Sequence, residues 1–172
     1  NDLEIARLIV KAGIPVILKK AGAGFPKGWP SAKPDLSVID KWKPGDKLFV
    51  VTGKQADGRG VDVADIDPRH HGDQTAYELK ASGSWPKARG VVTTPSGGLH
   101  VWLPPSGVRK GKLTGIDLQA GTFLAAEHVG RGLVGIPPSV GSSTNSKGKY
   151  IWQTEPDFAG LAGPVSPEQT KL

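Results

Sequence analysis

The chain contains neither cysteine nor methionine in its 172 residues. Without thiols it forms no disulfide and no thiolate zinc site, so no zinc is expected and an intracellular setting fits. Its four histidines, His70, His71, His100 and His128, lack the spacing of metal-ligand pairs, which argues against a zinc hydrolase. No stretch approaches the ~18 consecutive apolar residues that a membrane-spanning helix needs. The N-terminus carries no signal-peptide pattern. Beginning at Asn1 with no methionine anywhere, the sequence reads as a piece of a larger protein. Aromatic residues are few, and Trp29, Trp42, Trp85, Trp102 and Trp152 are well spread. Most are expected to pack in the core, with some free to stack on a base.

What the chain has in excess is positive charge: 22 Lys and Arg against 16 Asp and Glu, a net +6. This balance favours an acidic partner, most simply nucleic acid. Lys19, Lys20, Lys27 and Lys33 precede an acidic motif, and Arg109, Lys110 and Lys112 precede a later acid. Taken singly, each cluster also reads as a plain solvated loop. A chain of this length buries roughly 70% of its unfolded surface, enough for one domain or two small abutting halves sharing a core.

Apolar positions at Leu3, Ile5, Ala6, Leu8, Ile9 and Ala12 mark a helical face that ends at Gly13. Ile14 to Leu18 reads as a buried strand, residues 20–34 as an exposed loop, and Asp35 to Trp42 as a short helix. Leu48 to Thr52 is an apolar strand, and Asp57-Gly58-Arg59-Gly60 is a turn leading into a strand from Val61 to Asp67. Gly72 to Ala81 permits a helix. Val91 to Thr94, the turn Pro95-Ser96-Gly97-Gly98, and Leu99 to Leu103 make a hairpin. Short strands are predicted around residues 115–118, 122–126 and 132–136. The residues after Phe158, rich in Pro, Gly and polar side chains, read as a linker. Periodicity alone gives an α+β class.

Within the strand Val61 to Asp67, the period of two projects Asp65 and Asp67 to one face and Ala64 and Ile66 to the other. Two carboxylates on one face repel, and they call for a bound cation or for solvent at an exposed strand end. A third acid, Asp117, follows Gly115-Ile116 about fifty residues later. Three carboxylates on strand-like segments of a basic chain point to a divalent-metal site facing a polyanion.

Read in order, three motifs resemble those of the bifunctional DNA primase/polymerase (prim-pol) domain of the archaeo-eukaryotic primase superfamily. They are Val63-Ala64-Asp65-Ile66-Asp67-Pro68, Gly98-Leu99-His100 and Ile116-Asp117. Further family-like segments are Ala12-Gly13-Ile14-Pro15-Val16, Lys27-Gly28-Trp29, Val50-Val51-Thr52-Gly53, Asp67-Pro68-Arg69-His70 and Gly135-Ile136-Pro137-Pro138-Ser139. Together they carry the likeness over residues 5–155. One departure is a run of extra residues between Gln119 and Gly132, which makes Glu127 the alternative third acid.

The resemblance implies an α+β fold of mixed sheets in two abutting halves around a catalytic cleft, one half similar to an RNA-recognition sheet. It implies a catalytic domain over residues 1–158 and a linker, 159–172, toward a C-terminal helicase region of a phage or plasmid replicase in the bacterial cytoplasm. The implied activity is a template-dependent DNA polymerase with primase capacity, acting on NTP or dNTP, a DNA template and a primer. Asp65, Asp67 and Asp117 are implied as ligands of two Mg2+ or Mn2+ ions, and His100 as a catalytic contact to the nucleotide's phosphates. Gly97 and Gly98 would let the backbone approach those phosphates, and Ser96 would add a hydroxyl. Arg69, His70 and His71 are further phosphate candidates, and Thr52 and Ser139 are expected to line the nucleotide pocket. On the residues themselves two other functions stay open. One is a metal-dependent phosphoesterase or nuclease using the same carboxylates; the other is a single-strand nucleic-acid-binding module whose acids are vestigial.

Overall fold

The computed structural model describes all residues except 125–126 and 142–147. Helix α1 (Asp2–Lys11) opens with a capping box in which the Asn1 side chain accepts from the Glu4 amide at 2.9 Å. Its buried stripe is Ile5, Ala6, Ile9 and Val10. There follow β1 (Val16–Lys19), a loop with one 3-10 turn at Trp29–Ser31, α2 (Ser37–Asp40) and β2 (Lys47–Val51). The chain continues through β3 (Gly53–Lys54), β4 (Gly60–Ile66), α3 (Gly72–Ala81), β5 (Val91–Thr93) and β6 (Leu99–Leu103). It ends with β7 (Gly111–Leu113), β8 (Ile116–Gln119), β9 (Thr122–Leu124), β10 (Glu127–Val129), β11 (Leu133–Ile136), β12 (Ile151–Thr154) and α4 (Phe158–Leu161). Among the described residues no helix is long and apolar enough to cross a membrane.

Two sheets result. The smaller has the order β1-β2-β11; the larger has the order β10-β9-β3-β4-β6-β5-β12, with β8 also paired to β4 and β7 to β8. Within the larger sheet, β8-β4-β6-β5 lie side by side and antiparallel, and α3 crosses from β4 to β5. That is the order of a split β-α-β-β sheet, with β7 where a second helix would follow β6. The fold is α+β, as expected.

Strand β4 sits at the centre because both of its faces are apolar over most of its length. Val61 and Val63 pack with Trp102, α1 and the inner face of the small sheet. Ala64 and Ile66, on the other face, pack with Ala76 of α3, Val101, Ile116 and Leu118. Thr52 joins the two sheets at the end of β2. Its hydroxyl donates to the Ala120 carbonyl at 2.7 Å and accepts from the Gly132 amide at 2.9 Å.

Three segments add to or depart from the sequence reading. After Gln119, β9 falls within the strand expected at 122–126, and the unexpected β10 pairs with it to extend the large sheet beyond β3. Strands β7 and β12 are short and have no buried residue, so they carry no strand period to read. The segment 159–172, expected as a linker, packs against the domain. Leu161 is buried in the main core, and Gln169 is fully buried. The Gln169 amide donates to Asp62 at 2.8 Å and to the Pro104 carbonyl at 2.6 Å. A polar residue reads as linker until its buried partner, 107 positions away, is known.

Asp62 is itself fully buried on β4. One of its oxygens accepts from the Ser106 amide, the Ser106 hydroxyl and Gln169, while the other has no partner among the described residues. Burial pushes its carboxyl up to about 6. The folded state therefore holds this proton more tightly than the unfolded chain. The resulting stabilisation is complete below the ordinary value of 3.8 and is lost as pH rises through about 6. Replacing Asp62→Asn is expected to remove this pH dependence. Denaturant titrations should show the wild type losing about 2 kcal/mol relative to the variant between pH 4 and pH 8.

Candidate active site

The register of β4 assembles the site. Asp65 lies directly opposite His100 of β6 on one side and directly opposite Asp117 of β8 on the other. Lys112 of β7 lies opposite Asp117 in turn. Residues directly opposite share a face, with Cβ atoms ~5 Å apart. Lys112, Asp117, Asp65 and His100 therefore form one row across four strands, although they are far apart in sequence. Asp67 follows two residues after Asp65, just past the strand end, where its amide donates to the Gly115 carbonyl at 2.8 Å. Gly115 holds a φ of +71°, and a side chain there would strike Gly72 at the start of α3, so this crossing requires glycine.

The carboxylates are not equivalent. Asp67 caps the turn after β4. It accepts from the Arg69 amide at 2.9 Å and from the Arg69 guanidinium at 3.2 and 3.3 Å, and His70 Nε2 lies 3.7 Å away. The Arg69 guanidinium holds its carboxyl below the usual carboxylate range. Asp65 has only His100 Nε2 at 3.6 Å, and Asp117 only Lys112 Nζ at 3.8 Å, as ionic neighbours among the described residues. Both contacts are longer than a hydrogen bond.

Two hollows flank this acid ridge and share Asp65 and Asp67. The first, about 380 Å³, is bordered by Arg69, Ser96, His100 and Tyr150. The second, about 310 Å³, is bordered by His70, Lys112, Gly115 and Asp117. Among the described residues no three acids or histidines converge tightly enough to form a ready-made metal cage. Asp65 and Asp117 nonetheless suit a hard cation: they are like charges set opposite each other, which is unfavourable until a cation lies between them. Asp67 can join them with its second oxygen if the Arg69 contact loosens.

The structure distributes the other expected residues unevenly. Ser96 borders the first hollow, its hydroxyl 3.3 Å from that of Thr94. Gly97 takes the positive φ of the hairpin turn, and Gly98 passes so close to the Ile66 carbonyl that a Cβ would collide with it. Gly98 thus serves the packing of the hairpin on β4, and Gly97 its turn. His71 is the exposed residue before α3, with a φ of 66°, and it is His70 that borders the second hollow. Thr52 is occupied at the sheet junction described above. Ser139 is also buried and occupied: its hydroxyl accepts from the Leu48 amide at 2.8 Å and donates to the Leu48 carbonyl at 3.1 Å. The side chain of Glu127 lies outside the described part of the chain.

Tyr150 is the site residue that the sequence reading missed. The Ser139 carbonyl accepts its amide at 3.0 Å, its ring lies over Gly135, and its ring centre is 5.8 Å from that of His100. Burial, and then the Asp65 charge, raise its phenol above the ordinary value. Nothing local flags it, because the strands that place it are distant in sequence. Ser139 therefore acts on the site through position. Ser139→Ala leaves the Leu48 amide and carbonyl without their partner, and it is expected to cost about 1–3 kcal/mol of stability in denaturant titration. A nucleotide-contact role would instead leave stability unchanged and raise the nucleotide KM.

A family model for the N-terminal domain of bifunctional DNA primase/polymerases matches residues 7–168. The match takes in both sheets, the acid row and most of the packed C-terminal segment. No curated protein matches the chain. With nearly its whole length covered, the chain belongs to the bifunctional DNA primase/polymerase N-terminal family.

Proposed function

We propose that this domain extends a DNA primer along a template by nucleotidyl transfer from NTP or dNTP. The observation that carries the reading is the row Asp117–Asp65–His100, which puts two opposed carboxylates beside a hollow bordered by Arg69. In the reaction the primer 3′-oxygen forms a bond to the α-phosphorus, the bond to pyrophosphate breaks, and the 3′-hydroxyl proton passes to solvent. Two Mg2+ or Mn2+ ions held by Asp65, Asp117 and, once Arg69 releases it, one oxygen of Asp67 would acidify the 3′-hydroxyl and neutralise the leaving pyrophosphate.

The chain's own groups divide the remaining work. Arg69 and His100 border the first hollow, where a guanidinium and an imidazole suit the polyphosphate. His100 is 7% exposed, so little water competes for its ring. Tyr150 walls the same hollow and fixes how far a sugar or base can enter. The second hollow, with Lys112 beside Asp117, is left for the primer end. This division orients the 3′-oxygen and the α-phosphate across the acid ridge and supplies the proximity that the reaction needs.

Primer extension with either metal tests the reading. Asp65→Asn and Asp117→Asn are each expected to lower extension by about a hundredfold or more, while melting at or above the wild-type temperature, because each relieves a carboxylate repulsion. Arg69→Ala is expected to raise the nucleotide KM with a smaller effect on kcat. Shortening of the primer in place of extension would assign the carboxylates to a nuclease. Normal extension by Asp117→Asn would remove that residue from the site.

A further inference from the structure

The small sheet has a second face that the acid row does not use. Val16, Leu48, Val50, Val134 and Ile136 point into the core. On the other face Ile17, Phe49 and Gly135 form one row across the three strands, and in the next row Lys19 lies directly opposite Lys47. Like charges in that position destabilise an antiparallel pair. Among the described residues no carboxylate forms an ion pair with either lysine. Burial and the Lys19 charge lower the Lys47 ammonium below its ordinary value. Residues 14–54 carry eight lysines against three aspartates, so five of the net six positive charges lie in this part of the chain. One of the three, Asp46, spends both oxygens on the Ala21 and Lys43 amides.

Aromatic rings run from this pair to the catalytic row. Tyr150 stands beside His100 and lies over Gly135, and Gly135 is opposite Phe49. The Phe49 ring meets Phe25 edge-on at 5.0 Å, and Lys19 Nζ sits 5.9 Å from the centre of the Phe25 ring. Phe25 is 45% exposed. Exposed rings interleaved with ammonium groups are the means by which proteins hold a single strand, with phosphates on the charges and bases stacked on the rings. A duplex keeps its bases stacked inside and offers none to Phe25.

We propose that this face carries single-stranded nucleic acid, with phosphates on Lys19 and Lys47 and an unpaired base on Phe25, and leads the strand past Tyr150 to the acid row. That the strand is a template rests on the polymerase reading; that it binds here does not. A polyanion also accounts for the opposed lysines, because it turns their mutual repulsion into shared attraction.

The test is fluorescence anisotropy with a short labelled oligothymidylate in EDTA, where no transfer occurs. An abasic oligomer and a hairpin duplex of matched length serve as comparisons. Lys19→Ala/Lys47→Ala should weaken oligothymidylate binding about tenfold or more and reduce the slope of log Kd against log salt by about 1.4. The same charge change made by Lys11→Ala/Lys171→Ala should leave binding within about twofold. Phe25→Ala should weaken oligothymidylate about fivefold or more and leave the abasic oligomer unaffected. The melting temperature of the Lys19/Lys47 variant should equal or exceed that of the wild type, which separates lost contacts from lost fold. Equal weakening by both lysine pairs, no binding by the wild type, or tighter binding of the duplex would each overturn the proposal. Extension assays on the same proteins keep the two readings apart. Binding through Lys19 and Lys47 without extension keeps the track and sinks the polymerase; extension with binding indifferent to these lysines does the reverse.

Discussion

The cross-strand register of β4 is the constraint on which the site depends. Its period of two sends Val61, Val63 and Asp65 to one face and Asp62, Ala64 and Ile66 to the other. A slip of one residue would turn Asp65 onto the face where Ala64 and Ile66 pack, and Asp62 onto the face of the valines. That slip is prevented by the burial of Val63 against Trp102 and of Ala64 and Ile66 against α3 and β8. The apolar half of the strand thus holds the acidic half in place. The same register delivers His100 from one neighbour and Asp117 from the other, so a single alignment sets three side chains of the candidate site.

The electrostatics follow from where β4 leaves the core. Asp62, toward the core, is buried with Ser106 and the returning Gln169 on one oxygen, and burial raises its proton affinity. Asp67, one step outside, is held ionised by Arg69. Asp65 lies between them, and among the described residues its one ion-pair contact is His100 at 3.6 Å, set against its negative neighbour Asp117. A buried carboxyl of raised proton affinity, an Arg-paired carboxylate past the strand end and opposed carboxylates between them succeed one another along one strand, and the opposed pair is where a cation is most strongly favoured. The basic small sheet continues this logic at longer range, because a polyanion that meets Lys19 and Lys47 is drawn toward the same cleft.

Much of this was legible in the sequence because it rests on local signals. The apolar stripe of α1, the Gly97-Gly98 hairpin turn and the alternation around Asp65 each lie within one element. The class of fold and the family likeness follow from them. What stayed hidden is long-range. Thr52 and Ser139 look like turn hydroxyls, and only the partners Ala120, Gly132 and Leu48 show that they pin backbone. Gln169 looks like linker until Asp62 is beneath it. Tyr150 reaches the hollow through Gly135 and Ser139, a path that no periodicity records. The short strands β7 and β12 owe their existence to a neighbour's ladder rather than to their own side chains.

As proposed, the opposed pair Asp65 and Asp117 holds a divalent cation. Electron paramagnetic resonance of Mn2+ titrated into the protein with a non-hydrolysable dNTP analogue tests it most directly. The account predicts Mn2+ bound by the wild type and by Ser139→Ala, and lost from both Asp65→Asn and Asp117→Asn. Mn2+ binding unchanged in the two carboxamide variants would contradict it.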